Sequence, residues 1–498
     1  MLNPTKSNSD ISSLNIIKRF WNHFENRRKI QIKILIFIML ASGLFEIITI
    51  GSLLPFLSAL TNSEKLLENN IGNKIYSVIG ISDTNQLIIL MTLVFVITVV
   101  SSTGIRLFNI WATGKLSASV GSDLSCKAYQ NTLYQPYSYH IKKNSSDLVA
   151  SLSIQINTAI AILQSTLTLI SALIILICIL TTLFIVDWKV AFILLGSFSL
   201  FYYFVRKIFS NKLENNSKEI NQITKKQIKS LNEGFGSLKD TLLQNNQKVY
   251  VNSFKRRDFP LRILNAQNNL IANSPRYFIE AFGLCLIASI AYFFSKSNNF
   301  SDELIPKLGA IALGLQKLLP TSQIIYSSWA LLKGDRDTFL SVLELLDLEY
   351  SQVGLHKKNS PLIFENLIFK NVFFKYSDSN GHVIKDLSFD IKKGERIGFI
   401  GTTGSGKTTT IDLLMTLLTP TRGSILLNGK EINKKKDKQL ILNWRSSIAH
   451  VPQNVFLTDG SILENIAFGI PKNKIDINKA INCAKKARIS DFIESLPN

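Results

Sequence analysis

Cysteine is scarce in this sequence. The four present, Cys126, Cys178, Cys285 and Cys483 among 498 residues, form no CxxC pair and have no histidine cluster beside them. That excludes a disulfide framework and a thiolate metal site. Acidic residues are also in short supply, 35 against 56 Lys and Arg, for a formal net charge of +21. An excess of that size fits a nucleic-acid partner when it is clustered on one face. Here the basic residues crowd the ends of apolar runs instead, with Arg27, Arg28 and Lys29 before the first and Arg206 and Lys207 after the fourth. Membrane proteins hold loops on the cytoplasmic side in this way, so no nucleic-acid partner is expected. The N-terminus lacks the short apolar core and small-residue cleavage site of a removable signal peptide.

At 498 residues the chain is too long for one ordinary core, and its composition divides it. Long apolar runs fill residues 31–335, behind an N-terminal segment 1–30. A linker is expected over 336–361 and a soluble α/β domain over 362–498, where Lys, Asp, Asn and Gly mix with short apolar stretches.

A helix needs about 20 apolar residues to cross the hydrocarbon core. Runs at 34–60, Leu87–Ile105 and Thr158–Val186 meet or approach that length, and the third carries no charge. Past the polar break Asp187-Trp188-Lys189 comes a shorter run, 190–205, then a fifth at 277–295 and a sixth at 304–332, the last interrupted by Lys307, Lys317 and Pro320. Six spans are therefore expected, the sixth facing protein or a wet cavity rather than lipid. Lys and Arg abound in 206–276, whereas 61–85 has only Lys65 and Lys74 against Glu64, Glu68 and Asp83. This places the N-terminus, 107–157 and 206–276 in the cytoplasm, the latter two as helical extensions beyond the bilayer. Leu14, Ile17, Phe20, Trp21 and Phe24 recur at helical spacing beside Lys18 and Arg19, which reads as an interfacial helix on membrane lipid. Glu46 and Glu280 fall within spans, so they either line a translocation path or pair with basic neighbours such as Arg106 and Arg276.

In the second half, Arg396-Ile-Gly-Phe-Ile-Gly401 reads as an apolar strand, followed by Thr-Thr-Gly-Ser-Gly-Lys-Thr and a helical run Thr409 to Leu418. The string GTTGSGKT matches G-x-x-x-x-G-K-[ST] in strand–loop–helix context, which is specific for binding the phosphates of a nucleotide. Gly401, Gly404 and Gly406 let successive N–H groups converge on phosphate, with the helix dipole behind them. Lys407 reaches the β- and γ-phosphates as a point charge, and Thr408 offers its hydroxyl to Mg²⁺. Thr402, Thr403, Ser405 and Thr409 complete the run. The expected cofactors are ATP and Mg²⁺.

On these residues the sequence resembles the ATP-binding cassette transporters, and the match extends to both sides of the loop. NVFFKYSD is similar to the segment whose aromatic residue, here Tyr376, stacks on adenine. SSIAHVPQNVFLTDGSILENIAFG is similar to the glutamine loop, in which Gln453 would contact Mg²⁺ and the attacking water. Six spans followed by such a domain is the order of an exporter-type half-transporter. The stretches EIITIGSLLPFLSAL and NSPRYFIEAFGL resemble the branch that flips lipid-linked oligosaccharides across bacterial inner membranes. The resemblance thus implies a multi-pass inner-membrane protein with an α-helical transmembrane domain and an α/β P-loop NTPase domain. It implies a homodimer, or pairing with a complete half-transporter, and an amphipathic cargo. Another lipid, a peptide or a drug stands as the alternative cargo.

The sequence departs from the family pattern after Gln453. In the 45 residues that follow there is no LSGGQ-type signature, no apolar strand ending in Asp-Glu and no switch histidine, and the four glycines after Lys407 (Gly423, Gly429, Gly460, Gly469) never pair. The expectation is a C-terminally truncated chain, whether fragment, split gene or short copy, that binds nucleotide but hydrolyses it poorly.

Overall fold

The computed structural model describes residues 13–61, 84–296, 304–349, 362–377, 381–432, 438–453 and 455–497. The chain forms two units, Met1–Ser351 and Gln352–Asn498.

The first unit is entirely helical among the described residues: α1 Ser13–Asn22, α2 Asn26–Thr61, α3 Thr84–Leu133, α4 Tyr137–Lys142, α5 Ser145–Ala150, one π turn at Ser151–Gln155, α6 Ile156–Val186, α7 Trp188–Gly236, α8 Leu238–Leu243, α9 Gln247–Asn273, α10 Pro275–Lys296, α11 Leu304–Gly334 and α12 Arg336–Leu346. Long helices are the outcome that the apolar runs demand, because a backbone amide in hydrocarbon has no water to bond and must be satisfied within its own segment. The 50 residues of α3 rise about 75 Å, against a hydrocarbon core of about 30 Å. The 49 residues of α7 rise a similar distance. The polar break at Asp187 is a helix cap: its carboxylate accepts from the amides of Lys189 (2.9 Å) and Val190 (3.2 Å), opening α7.

Among the described residues, four helices are long and apolar enough to cross a membrane: α2, α3, α7 and the continuous run Ser146–Val186. Their outer faces carry exposed Phe37, Ile97, Ile177 and Ile185, as lipid-facing helices do. The segments expected as the fifth and sixth spans are the helices α10 and α11. The latter buries Ala310, Ile311, Leu315 and Leu318 against α2, α6, α7 and α9, so its polar interruptions sit in a helix that faces protein.

Small residues set the closest helix approaches. A Cβ on Gly43 would lie 2.7 Å from Cys178 Sγ, so α2 and α6 touch there only because the position is glycine. Beside this contact the carboxylate of Glu46, 3% exposed, is held by the Lys317 ammonium of α11, and Arg106 Nη1 lies 4.0 Å from its other oxygen. Glu280 bonds Arg276 at 2.8 Å one turn away on the same helix. Both acidic residues have basic partners, and Lys317 is one that spacing along the sequence did not single out.

The described part of the N-terminal helix rests on protein. Phe20 and Phe24 are buried, and the Phe20 ring meets Phe339 of α12 edge-on at 4.8 Å. Arg19 pairs with Asp347, and His23 Nε2 lies 2.7 Å from the same carboxylate. The side chains of Leu14 and Ile17 lie outside the described residues. The stretch expected as a linker begins as α12, whose Phe339, Leu340, Leu343 and Leu346 join the core of the helical unit.

The second unit is built on a four-stranded antiparallel sheet in the order β2-β1-β3-β4, from β1 Asn366–Phe374, β2 Ile384–Lys392, β3 Arg422–Leu427 and β4 Lys430–Glu431. Around it come α13 Lys407–Leu414, α14 Lys438–Ser446, α15 Ile462–Ile466, a 3₁₀ turn at Lys472–Lys474, α16 Ile477–Lys486 and α17 Ser490–Glu494. Leu367, Phe369, Leu413, Leu418, Ile425 and Trp444 fill its core. The expected strand over Arg396–Gly401 is not formed. Residues 395–400 pair with no strand among the described residues, and the Ile400 side chain is fully exposed. An isolated extended segment has no ladder to hold it as a strand.

Two predictions follow from the helical unit. Lys317→Met strands the Glu46 carboxylate in the bundle and should cost about 3–5 kcal/mol, read as a lower thermal midpoint in detergent. Adding Glu46→Gln to that variant should recover most of the loss. Asp335, at the start of α12, makes no side-chain cap bond, and burial pushes its pKa up to about 6. A carboxyl that holds its proton more tightly folded than unfolded costs stability as pH rises from the unfolded value towards 6. Asp335→Asn should therefore raise the thermal midpoint at pH 8 and leave it unchanged below about pH 4.

Candidate functional site

The phosphate-binding run sits between the unpaired segment ending at Ile400 and the N-terminus of α13. Gly404 and Gly406 take φ of +86° and +90°, in the left-handed region. A Cβ on Gly406 would also lie 3.3 Å from the Val383 carbonyl oxygen. Glycine is required there by conformation and by space. The turn is tied by the Ser405 amide donating to the Thr402 carbonyl at 3.2 Å, and the Thr410 hydroxyl donates to the Gly406 carbonyl at 3.0 Å. Gly401, Thr402, Thr403, Gly404 and Ser405 lie exposed along the loop.

Lys407 folds back over this loop, its ammonium donating to the carbonyls of Gly401 (2.7 Å) and Thr402 (2.9 Å). The cation is thus held above the glycine turn, at the positive end of α13, where an anion gains from both. Thr408 and Thr409 divide roles by helical rotation. Thr408 is exposed, and its hydroxyl makes no hydrogen bond among the described residues. Thr409 is buried, and its hydroxyl shares a 3.0 Å hydrogen bond with the Tyr376 hydroxyl. Thr409 therefore turns its side chain towards Tyr376 and not outward. Tyr376 is half-buried, with its ring edge-on to Phe374 at 4.9 Å, so β1 delivers the tyrosine directly to the phosphate-binding helix.

These features fit a nucleotide with its metal. The glycine turn would receive the phosphates at close backbone range, Lys407 would exchange carbonyl partners for phosphate oxygens, and Thr408 has a hydroxyl to offer Mg²⁺. When bound, the ion would neutralise phosphate charge.

Gln453 is exposed in the segment after α14, and no hydrogen bond joins it to the loop. The arrangement brings Tyr376 to the P-loop helix and does not bring Gln453 into contact with it. The nearest link is electrostatic. Burial pushes the Asp412 carboxyl of α13 up, and the nearby His450, three residues before Gln453, draws it down. Sequence reasoning passed over both residues, since an Asp on a helix and a His in an extended stretch carry no motif. After Gln453 the chain is fixed by a capping box at α15, where the Ser461 side chain accepts from the Glu464 amide and Glu464 reaches back to the Ser461 amide at 2.8 Å.

Comparison with known proteins decides the family. The model described as ABC transporter transmembrane region matches residues 30–303, more than half of the chain, and the one described as ABC transporter matches 384–498. The chain belongs to the ABC transporters. It is 23% identical, over 78% of its length, to an ATP-dependent lipid A-core flippase of Cupriavidus metallidurans, of which it covers 65%. It is 31% identical, over half its length, to an ABC transporter ATP-binding protein of Mycoplasma pneumoniae, of which it covers 40%. The chain thus spans less than two thirds of each of these relatives. A solved bacterial Atm1-family ABC exporter with ATP bound shares the fold, with a TM-score of 0.69 at 16% identity, covering 95% of this ABC transporter chain and 78% of the other.

The loop geometry predicts separable losses. Lys407→Ala should weaken binding of a fluorescent ATP analogue about ten-fold or more with or without Mg²⁺. Thr408→Val should retain the Mg²⁺-free affinity and lose the gain that Mg²⁺ confers.

Proposed function

We propose that this chain couples nucleotide at the Lys407 loop to movement of an amphipathic cargo through its helical unit, as an exporter-type half-transporter. The observation that carries this reading is the presence, on one chain, of a built phosphate loop and a bundle of lipid-facing helices that continue well past the bilayer. In that reading Tyr376 stacks on adenine, Gly401–Gly406 and Lys407 hold the phosphates, and Thr408 and Gln453 serve Mg²⁺ and the attacking water. The helices α10 and α11 supply the fifth and sixth spans, and the nucleotide-binding unit is cytoplasmic at a bacterial inner membrane. The kinship with lipid A-core flippases supports a lipidic cargo, a lipid-linked saccharide being the favoured one.

Coupling would run through the turns at the far ends of the long helices. There α4, α5 and α8 present exposed Tyr137, Ile141, Leu242 and Leu243, and Asn232 Nδ2 donates to Ser146 Oγ at 2.9 Å, tying the two turns together. Such an apolar, cross-braced tip suits docking on a nucleotide-binding domain. Two copies, or one copy with a complete half-transporter, would make the working assembly. These 498 residues hold no signature run or Asp-Glu strand, so on their own they bind ATP without efficient turnover. A second reading is a non-hydrolytic subunit in which ATP acts as a regulatory ligand.

Reconstitution in proteoliposomes tests both. The expected result for this chain alone is ATP binding, abolished by Lys407→Ala, with little phosphate release. Translocation of a fluorescent lipid-linked saccharide should appear only when a partner carrying the signature is added. Robust ATP turnover by these residues alone would overturn the expectation of poor hydrolysis, and absence of any nucleotide binding would overturn the function.

A further inference from the structure

The helical unit contains a cavity of about 450 Å³ between α6, α7 and α11 that the nucleotide chemistry does not use. Its volume falls within the roughly 300–1,000 Å³ of ligand sites. Leucines of α6 and α7, Leu176, Leu180 and Leu195 among them, make most of the wall apolar, while Tyr202, Tyr326 and Arg206 gather towards one end. The Tyr202 and Tyr326 rings stack at 5.5 Å and wall this end with their faces, their hydroxyls being enclosed in the helix packing with Ser322 beside Tyr202. The Arg206 guanidinium lies 5.8 Å over the Trp329 ring and has no carboxylate partner among the described residues. A cation without a counter-charge thus marks this end of the cavity and an apolar slot lies behind it, so the complementary ligand is an anionic headgroup carrying a hydrocarbon chain.

Dimensions identify the source. Arg206 and Lys207 close the apolar run of α7 at one membrane face, and Leu195 lies eleven residues inward, a depth of about 16 Å at 1.5 Å per residue. One leaflet of the hydrocarbon core is about 15 Å thick. A lipid seated with its phosphate at Arg206 would lay a chain along the leucines and stop near the bilayer midplane. We propose that this cavity is a binding site for an anionic phospholipid of the surrounding leaflet, its phosphate held by Arg206 and one acyl chain lying between α6, α7 and α11 against the Tyr202 and Tyr326 rings. The site needs no nucleotide and stands apart from the transport reading.

The test uses the full chain in nanodiscs of phosphatidylglycerol or of phosphatidylcholine, reading the thermal midpoint and, after transfer to detergent, the phospholipid retained by native mass spectrometry. The parent should melt higher in phosphatidylglycerol and retain it. Arg206→Ala should lower phosphatidylglycerol retention about ten-fold and abolish the difference in midpoint, Arg206→Lys should keep part of both, and Ser199→Trp, which fills the slot, should also abolish retention. Unchanged phosphatidylglycerol preference in Arg206→Ala, or undiminished retention in Ser199→Trp, would overturn the proposal. Lys407→Ala should leave lipid retention intact, which separates failure here from failure of the nucleotide reading.

Discussion

Every polar group in the helical unit answers to one constraint, that hydrocarbon offers no hydrogen-bond partner. The backbone meets it by forming helices of up to 50 residues, with a capped break at Asp187 where the chain turns. Side chains meet it in two different ways. Glu46 of α2 is buried and takes Lys317 of α11 and, at 4.0 Å, Arg106 of α3 as its partners, so one carboxylate links three helices. Tyr202 and Tyr326 are polar in the same interior, and their hydroxyls are enclosed in the packing while their stacked rings wall the cavity. The first arrangement fixes helix packing by charge, and the second does so by aromatic contact.

The nucleotide loop depends on the same accounting of partners in an aqueous setting. The segment that leads into it pairs with no neighbouring strand among the described residues, and its Ile400 is open to solvent. The loop is held from the other side, by the turn bond between Ser405 and Thr402, the Thr410 bond to Gly406, the packing of Gly406 on Val383 and the Tyr376–Thr409 bridge. The binding geometry is therefore anchored through β1, β2 and α13. All three belong to the antiparallel part of the unit, whose core of Phe369, Leu413 and Ile425 is closed.

What was legible in the sequence follows from the range of the interactions. Apolar runs and the GTTGSGKT string report local physics, and they located the long helices, the glycine turn and the start of α13 within a few residues. The Tyr376–Thr409 bridge was not legible, because it spans 33 residues and no periodicity signals it; family resemblance pointed to Tyr376 for a different role, stacking on adenine. Lys317 as partner of Glu46 was out of reach for the same reason, at a separation of 271 residues. The strand expected at 396–401 shows the converse. Its composition is that of a strand, but strand formation is a property of a ladder, and local apolarity does not supply a neighbour. The helix α12 opens the stretch expected as linker, and its apolar face joins the core beside α1 and α3.

The position of Lys407 bears on how tightly nucleotide binds. Its ammonium already has two good acceptors in the Gly401 and Thr402 carbonyls. Phosphate must therefore displace existing hydrogen bonds, and the net gain comes from the difference between a carbonyl and a charged phosphate oxygen rather than from the whole of a new interaction. The same two bonds hold the cation over the glycine turn. A preformed loop with a self-satisfied lysine favours selectivity for highly charged phosphates over weaker anions, since only the former outbid the backbone carbonyls.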